Sequence, residues 1–154
     1  MQAAFPEPLR GPLDAVLRSS PLLETFGIEL LEWAPGAARA ALAPLEGHAN
    51  LGGAVHGGVL FALADAAFEA ASNGYGRVCV ALETTCHYCS PAPLDEAVLA
   101  EATELSRSRR TGVYRIEARG AGGELRASYT ALAFRTERWH LGPERWPESW
   151  RGAV

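Results

Sequence analysis

The sequence NLGGAVHGGVLFALADAAFEAASN, which occupies residues 50–73, contains a nearly unbroken apolar run. The run starts after Gly57 and Gly58, and only Asp65 and Glu69 interrupt it before its end. A stretch this long and apolar predicts a helix, and a helix that is apolar on nearly all sides has to be buried. We therefore expect the extended segments that follow to form a sheet around it.

Four polar side chains lie along one narrow stripe of the predicted helix. Asp65, Glu69, Ser72 and Asn73 recur at helical spacing, which places them on one face. An ionised carboxylate in apolar surroundings is costly unless it is paired or hydrogen-bonded, and its pKa is expected to be perturbed. Asp65 is therefore a candidate functional residue.

The composition is that of an ordinary globular chain with a mild negative charge. Its 154 residues fit one domain, with 48% hydrophobic and 21% charged residues. The net charge of -4 gives no electrostatic footprint for nucleic acid or an anionic membrane, so we expect neither as a partner. Any anionic ligand would have to be met by a local group of arginines.

Targeting signals and cysteine usage favour the cytoplasm. No segment reaches the roughly 18 uncharged apolar residues that a membrane-spanning helix needs. The first residues, MQAAFPEPLRGPLDAV, lack the basic start and apolar core of a secretory signal. Three cysteines, an odd number without a secretory context, favour free thiols over disulfides.

Extended segments separated by turn residues predict a sheet of about six strands. Pro35-Gly36 separates two short strands, and residues 113–119 alternate between two faces, which is typical of a sheet covered on one side. The expected strands are residues 28–33, 37–42, 78–88, 96–107, 111–119 and 124–135. No helix separates the last four, so they predict an antiparallel meander. The fold class is α+β, with the sheet around one long central helix.

The chain is expected to form one domain with an extension at each end. Residues 1–26 predict a lead-in and a short helix from Pro12 to about Glu24, which Pro21 interrupts. Residues 27–136 form the domain itself. Residues 137–154 hold three of the four tryptophans. We expect their indoles to pack on the body or on a neighbouring subunit rather than against a ligand.

Three motifs, in their order along the chain, resemble a known family. They are HANLGGAVHGGVLFALADAAFEAASN at residues 48–73, SPAPLDE at 90–96 and SRSRRTGVYRIEARG at 106–120. Together they resemble the hotdog-fold thioesterase superfamily, and within it the PaaI-like acyl-CoA thioesterases of the phenylacetate-degradation type. The most specific part is the spacing Asn-x6-Gly-x7-Asp, present as Asn50, Gly57 and Asp65.

The resemblance implies a fold, an assembly and an activity. It implies a helix gripped by an antiparallel sheet, homodimers that join two sheets edge to edge, and often homotetramers. It also implies hydrolysis of acyl-CoA thioesters without a metal or another cofactor. By resemblance, the Gly57 N–H polarises the thioester carbonyl, Asp65 is the nucleophile or general base, and Asn50 orients the thioester or the water.

Thioester chemistry itself agrees with these residue types. Hydrolysis needs an attacking group, or a base that activates water, and donors aimed at the oxygen where negative charge develops. Asp65 can supply the first. A helix start at Gly57 can supply the second, because its free N–H groups and dipole favour an anion and glycine allows a close approach.

The spacing of Gly57 and Asp65 predicts a site shared between two subunits. If the helix begins at Gly57, eight residues at a rise of about 1.5 Å place Asp65 about 12 Å farther along the axis. Both groups have to lie within about 3 Å of the reacting atoms, which a single helix does not allow. We therefore expect two antiparallel helices side by side and a homodimer as the minimal active unit.

Other polar residues of the motif are each open to two interpretations. Glu69 either shares a proton with Asp65 or ends the apolar face at the subunit contact. His56 either touches substrate or positions the turn, and the structural role is favoured. Gly58 lets a substrate come close, and Asn73 is expected to cap the helix end rather than touch substrate.

The segment CHYC at residues 86–89 does not predict a metal site. Cys86 and Cys89 would point to opposite faces of a strand, and no second Cys/His pair stands at ligand spacing. A strand cysteine without a nearby cation behaves as a small hydrophobic residue. We expect no bound metal.

A basic run, Arg107, Arg109 and Arg110, stands at a strand junction in an otherwise acidic chain. Arginine binds phosphates through forked, charge-assisted hydrogen bonds, and CoA carries phosphates at its ADP end. Because the family binds CoA near this junction, the resemblance implies that at least one of the three contacts the ADP part, with Arg109 and Arg110 favoured over Arg107, and that Thr111 meets the pantetheine arm. The alternative is a solvated hairpin whose charges serve solubility.

Two classes of function follow. The first is a hydrolase acting on aryl-acetyl or medium-chain acyl-CoA. The second is a hotdog protein that binds acyl-CoA or another acyl ligand without turnover, and a dehydratase is a third option. The buried carboxylate of Asp65 favours the hydrolase, because a protein that only binds its ligand has no use for it.

Overall fold

The computed structural model describes residues 4–154, so the first three residues of the expected lead-in lie outside the described residues. Six strands form one sheet: β1 (Ile28–Ala34), β2 (Ala37–Leu42), β3 (Arg77–Tyr88), β4 (Val98–Arg107), β5 (Thr111–Gly120) and β6 (Leu125–Trp139). They lie in the order β1-β2-β4-β5-β6-β3, and every neighbouring pair is antiparallel. The predicted α+β class with a six-stranded antiparallel sheet is confirmed.

Four α-helices accompany the sheet: α1 (Arg10–Arg18), α2 (Pro21–Phe26), α3 (Gly57–Asn73) and α4 (Glu148–Ala153). None of the helices within residues 4–154 has both the length and the apolarity that crossing a membrane requires. The helix predicted from Pro12 to about Glu24 is interrupted before Pro21, as the sequence indicated, and consists of the two helices α1 and α2. Pro21 begins a second helix, where its missing N–H costs nothing because the first amides of a helix have no internal partner.

α3 is the helix that the sheet covers. It packs against all six strands, and most of its residues are buried. Small side chains let the helix and the sheet approach closely, and the fully buried strand residues include Ala40, Ala100, Ala102, Ala118, Ala127 and Ala133. The prediction of a buried central helix is confirmed.

The last four strands do not form the simple meander predicted from the sequence. β4, β5 and β6 pair in succession, but β3 pairs with β6, and β4 pairs with β2. The connection at residues 89–97 is long enough to cross from the edge of the sheet to its centre. Arg126 holds this connection by donating hydrogen bonds to the Pro91 carbonyl and to the Glu96 carboxylate.

β3 is a long edge strand that carries apolar side chains in contact with solvent. Val80 is 45% exposed and Leu82 is 57% exposed. Beyond β6, no other strand within residues 4–154 pairs with β3, so its outer backbone edge is open. A long apolar edge of this kind is a natural place for pairing with another chain.

The C-terminal segment packs on the body of the same subunit. β6 continues to Trp139, four residues beyond its predicted end at Arg135, and both Trp146 and Trp150 are buried. The Trp146 indole N–H donates to the His140 carbonyl at 2.7 Å. These two indoles therefore pack on the body of the same subunit, which is one of the two places that the sequence predicted.

Candidate active site

α3 begins with a free backbone donor. His56 precedes the helix in an extended conformation, and its Nδ1 accepts a hydrogen bond from the Gly58 N–H at 2.9 Å. The Val59 and Leu60 amides donate to the His56 carbonyl. Of this first turn, the Gly57 N–H is left with no acceptor within residues 4–154, and it lies at the positive end of the helix.

Asn50 lies beside this helix start in a fixed orientation. Its Oδ1 accepts hydrogen bonds from the N–H groups of Gly52 at 2.8 Å and Ala54 at 3.2 Å. The amide oxygen is thereby used, and the Nδ2 group remains as a donor. A pocket is lined by both Asn50 and Gly57, and we call it the helix-start pocket; its other residues include Leu60, Tyr88, Ser90 and Ala92.

Tyr88 lies directly over the helix start. Its hydroxyl donates to the Gly57 carbonyl at 2.9 Å, and a Cβ at position 57 would lie 2.9 Å from the Tyr88 ring. Glycine at this position therefore allows both the aromatic contact and the approach of a ligand to the amide.

Asp65 lines a second pocket, the Asp65 pocket, whose other residues are mostly apolar: Phe61, Ala64, Phe68, Thr84, Ile116, Tyr129 and Ala131. Burial raises the pKa of the Asp65 carboxyl above its ordinary value, because the charged form loses solvation there. A carboxylate with a raised pKa is a stronger base than an exposed one. The pocket thus holds one basic group among aromatic and aliphatic walls.

Glu69 follows Asp65 by one helical turn and has an exposed side chain. Its pKa is raised, first because nearby protein atoms remove part of the solvation of the carboxyl and then because of the negative charge of Asp65. A hydrogen bond with the Ser20 hydroxyl lowers the pKa but does not outweigh these effects. The two carboxyls therefore interact electrostatically, which fits the first interpretation of Glu69 without excluding the second.

Asn73 ties the end of α3 to its surroundings. Its Nδ2 donates to the Glu69 carbonyl at 3.0 Å, and its Oδ1 accepts from the Cys79 N–H at 2.9 Å. Its Oδ1 also lies 2.8 Å from the His140 Nε2. These contacts match the expected capping role.

A single subunit does not bring Gly57 and Asp65 together. The two residues line different pockets, and α3 is continuous between them. Eight residues of helix separate them by about 12 Å along the axis. α3 begins at Gly57, as the prediction of a shared site assumed.

The predicted CoA-contacting residues lie at the turn between β4 and β5. Arg109 and Arg110 line a cleft away from both pockets, whereas Arg107 is paired with Glu104 at 3.2 Å. Thr111 begins β5, and its hydroxyl lies 2.9 Å from the Ser108 hydroxyl, which fixes the turn.

The cysteines are free thiols, as predicted: Cys79, Cys86 and Cys89. Throughout the described part of the chain, no group of three His, Cys, Asp or Glu side chains is arranged to hold a metal ion.

Most residues that line the two pockets were not predicted from the sequence, and they include Thr84, Tyr88 and Tyr129, each of which carries a hydroxyl. The Tyr129 hydroxyl is buried and has no hydrogen-bond partner among residues 4–154. The alternation along a strand shows which residues face the helix. The turn of α3 that each of these strand residues faces depends on the register of the strands, and the local sequence does not reveal that register.

The fold and the site together define a hotdog protein with a carboxylate on its central helix and a free amide at the helix start. Residues 52–127 match the family model described as Thioesterase superfamily. The acyl-coenzyme A thioesterase PaaI of Escherichia coli is 30% identical over 103 residues, which cover 67% of this chain and 74% of PaaI. The chain belongs to the thioesterase superfamily and is an enzyme of that superfamily.

Solved structures that are similar to this chain support the same family. A mutant of the phenylacetic acid degradation protein PaaI from Thermus thermophilus is 41% identical, with a TM-score of 0.73 over 76% of this chain and 100% of that chain. The PaaI protein of the Escherichia coli phenylacetic acid degradation operon has a TM-score of 0.80 at 26% identity, over 83% of this chain and 93% of that chain. The resemblance to PaaI-like hotdog thioesterases is confirmed.

Proposed function

We propose that the protein hydrolyses aryl-acetyl or medium-chain acyl-CoA to the free acid and CoA, at a site shared between two subunits. The observation that carries this proposal is the Asp65 carboxyl, which lies in a mostly apolar pocket and has a raised pKa. Burying such a group costs free energy of folding. Hydrolysis of a thioester gives the group a use, because the reaction needs a base or a nucleophile in a site from which water is largely excluded.

Each residue has a role in the proposed reaction. The Gly57 N–H of one subunit polarises the thioester carbonyl, and the Nδ2 of Asn50 orients the thioester or the water. In the general-base route, Asp65 of the partner subunit takes a proton from water as the water oxygen attacks the carbonyl carbon. The tetrahedral intermediate then collapses, the C–S bond breaks, and the CoA thiolate is protonated. In the alternative route, the Asp65 carboxylate attacks the carbonyl carbon directly, the C–S bond breaks and the CoA thiolate leaves and is protonated, and water then cleaves the resulting anhydride to the free acid and the Asp65 carboxylate.

The open edge of β3 supports the dimer. Pairing two copies of β3 around a two-fold axis would cover Val80 and Leu82 and set the two α3 helices antiparallel. Phe61 on the exposed side of α3 is 36% exposed and belongs to the Asp65 pocket, so the same contact would close that pocket. Association of dimers into a tetramer stays a prediction.

The lining of the pockets supports the substrate class. The Asp65 pocket of one subunit is small, about 10 Å³, so an aryl group would lie where the second subunit extends the pocket, with Phe61, Phe68 and Tyr129 as aromatic neighbours for edge-to-face packing. Arg109 and Arg110 would hold the ADP part of CoA, and Thr111 the pantetheine arm. His56 and Gly58 contribute to substrate binding through the cap that leaves the Gly57 amide free. The proposed mechanism needs no metal or cofactor, and the cytoplasmic location stays a prediction of the sequence.

A panel of thioesters tests the proposal. Phenylacetyl-CoA, hexanoyl-CoA, octanoyl-CoA and acetyl-CoA are compared by the release of free thiol, with Asp65→Asn as the control variant. We expect turnover of the aryl-acetyl or medium-chain substrates and a loss of roughly 100-fold or more in kcat for the variant. Tight binding of these thioesters without turnover by the unaltered protein would instead identify a non-catalytic acyl-CoA binder.

A further inference from the structure

One side of α3 carries Phe61, Asp65 and Glu69 in a row, each one helical turn after the last and none of them fully buried. Phe61 and Asp65 line the Asp65 pocket, and Glu69 lies beyond it. The Glu69 carboxylate forms no ion pair within residues 4–154, and the Ser20 hydroxyl is its hydrogen-bond partner there. The side of α3 that carries the proposed catalytic acid therefore continues to a second acid that still has acceptor capacity.

The helix α2 lies beside this end of α3. It packs against both α3 and β1, and Ser20, which directly precedes it, reaches Glu69. The Ser20 hydroxyl caps no amide of α2, so it is available for Glu69. Leu22 and Leu23 pack against the core but keep part of their surface open to solvent. We call the surface formed by Ser20, Leu22, Leu23 and Glu69 the α2 platform.

A tight turn at residues 50–53 precedes the other end of α3. Its backbone is closed by a hydrogen bond from the Gly53 N–H to the Asn50 carbonyl at 3.1 Å. Leu51, within this turn, is the most exposed large apolar side chain of residues 4–154. The turn itself holds the Asn50 Oδ1, whereas Nδ2 has no acceptor among the same residues. The turn therefore presents an apolar side chain and an amide donor that both lack a partner in the described part of the chain.

The turn and the α2 platform cannot meet within one chain, because α3 separates them. The helix axis rises by about 18 Å between Gly57 and Glu69. The proposed dimer brings them together. When Asp65 lies beside the Gly57 of an antiparallel partner helix, Glu69, one turn later, lies beside the segment one turn before that glycine, which is the turn at residues 50–53. Phe61, midway between the two catalytic positions, then lies beside its own copy.

We propose that the turn at residues 50–53 of one subunit docks on the α2 platform of its partner and thereby positions Asn50 in the shared active site. Leu51 packs on the two leucines of the platform, which removes apolar surface from water. The Glu69 carboxylate accepts a charge-assisted hydrogen bond from the Asn50 Nδ2. This group has two hydrogens, so its second N–H stays free to orient the thioester or the water. The inference rests on the proposed function, because it uses the dimer proposed there.

The contact gives Asn50 a fixed orientation and gives α2 a part in the proposed reaction. Asn50 is held at Oδ1 by Gly52 and Ala54 of its own chain, and at Nδ2 by Glu69 of the partner subunit. A group that is fixed before the substrate arrives loses less entropy in the transition state. Glu69 is therefore a positioning residue. α2 precedes residues 52–127, the part that matches the family model, so this arrangement depends on a segment outside that match.

Cross-linking tests the contact without any turnover. In a chain whose three cysteines are replaced by alanine, Leu51→Cys and Leu23→Cys are introduced together. Within one chain the two thiols are too far apart for a disulfide, whose Cα atoms lie at most about 7 Å apart. We expect mild oxidation to convert most of the protein to a covalent dimer on a denaturing gel. The matched control combines Leu23→Cys with Leu105→Cys, an exposed leucine of β4, and should give no covalent dimer.

Kinetics of chains that keep their native cysteines test the positioning role. Glu69→Ala removes the acceptor, so kcat should fall roughly ten-fold while KM changes less than about two-fold. Glu69→Gln keeps a neutral acceptor at the same place and should recover part of the loss. Glu24→Ala is the matched control, because Glu24 is an exposed acid of α2 outside the platform, and it should keep the full kcat.

The two experiments separate this inference from the proposed function. Failure of the doubly substituted chain to form a covalent dimer would overturn the docking, even in a protein that hydrolyses thioesters. Equal kcat values for Glu69→Ala and the unaltered protein would overturn the positioning of Asn50. A covalent dimer formed by a protein that hydrolyses no thioester would leave the docking standing and remove the proposed hydrolysis.

Discussion

Asp65 combines two requirements that oppose each other. The proposed reaction needs its ionised form, while burial in the Asp65 pocket favours its neutral form and raises its pKa. Gly57 shows the complementary case, in which the free amide costs little because the first amides of any helix lack an internal acceptor. Of the two proposed catalytic groups, Asp65 therefore destabilises the folded protein at neutral pH, whereas the free Gly57 amide costs little.

Replacing Asp65 by Asn should stabilise the folded protein at neutral pH. Because burial raises the pKa of Asp65 in the folded state, the folded protein favours the protonated carboxyl. The protein is therefore more stable at low pH, where the carboxyl is protonated, and it loses this stability as pH rises through the folded pKa. The gain for Asp65→Asn should therefore be largest at pH 7 and should vanish as pH falls to about 3.8, the ordinary value of the carboxyl. Urea denaturation at several pH values measures it.

Asp14→Asn is the matched control with the opposite sign. Burial alone would raise the pKa of Asp14, but hydrogen bonds from Arg18 and Trp33 outweigh it and lower the pKa. The lowered pKa means that Asp14 contributes stability above its ordinary pKa, so Asp14→Asn should destabilise the protein at pH 7. If Asp65→Asn destabilised the protein at pH 7, as Asp14→Asn should, the assigned environment of Asp65 would be wrong.

Gly57→Pro isolates the proposed carbonyl contact. Proline fits the first position of a helix, and the extended His56 backbone before it is compatible with proline, so the helix should persist without the N–H. We expect kcat to fall by roughly 100-fold to 1,000-fold, the usual cost of one donor to a developing oxyanion. Gly57→Ala is the control, because it adds a Cβ near Tyr88 but keeps the N–H. Unchanged activity in Gly57→Pro would show that the amide has no role.

At the scale of elements, the sequence identified α3 and the six strands because each carries its own periodicity. The apolar run marks a buried helix, and alternation marks the strands. The position of β3 at the edge next to β6 was not predicted, because strand order depends on contacts between segments far apart in the chain. Thr84 and Tyr129 were missed for the same reason, whereas Asn50, Gly57 and Asp65 are visible as one local motif.

The C-terminal segment depends on one glycine. Gly76 has φ +87°, and a Cβ there would lie 2.1 Å from the Trp146 ring. Gly76→Ala should therefore destabilise the protein by about 3 kcal/mol, through both backbone strain and overpacking. Thermal and urea unfolding measure this. Gly123→Ala is the control, since φ is +91° there and no atom lies within 4 Å of the added Cβ. Equal losses in the two variants would mean that the contact with Trp146 contributes nothing.

At the scale of the whole molecule, the proposed active site exists only in a dimer. One chain holds Gly57 and Asp65 in separate pockets, and the exposed edge of β3 offers the surface that would join two chains. Because α3 runs without a break between Gly57 and Asp65, the two groups cannot meet within one chain. This separation is the reason for proposing a dimer.

Mixing two inactive variants tests this arrangement. In a heterodimer of Asp65→Ala and Gly57→Pro chains, one of the two sites has both unaltered groups, and the other has neither. After complete subunit exchange at equal concentrations, half of the dimers are mixed, so we expect about one quarter of the original specific activity. Proven exchange without recovered thiol release would place the complete site within one chain.

The interleaved strand order also has a consequence for how the chain is made. β2 finds its inner partner in β4 and β3 finds its partner in β6, so the cover of α3 is completed by segments that are synthesised well after it. The apolar helix α3 is therefore synthesised before four of the six strands that cover it, so its surface is exposed to solvent on the growing chain. A chain that is truncated after α3 would therefore be prone to aggregation, and we expect nascent-chain chaperones to bind this protein before its last strands are made.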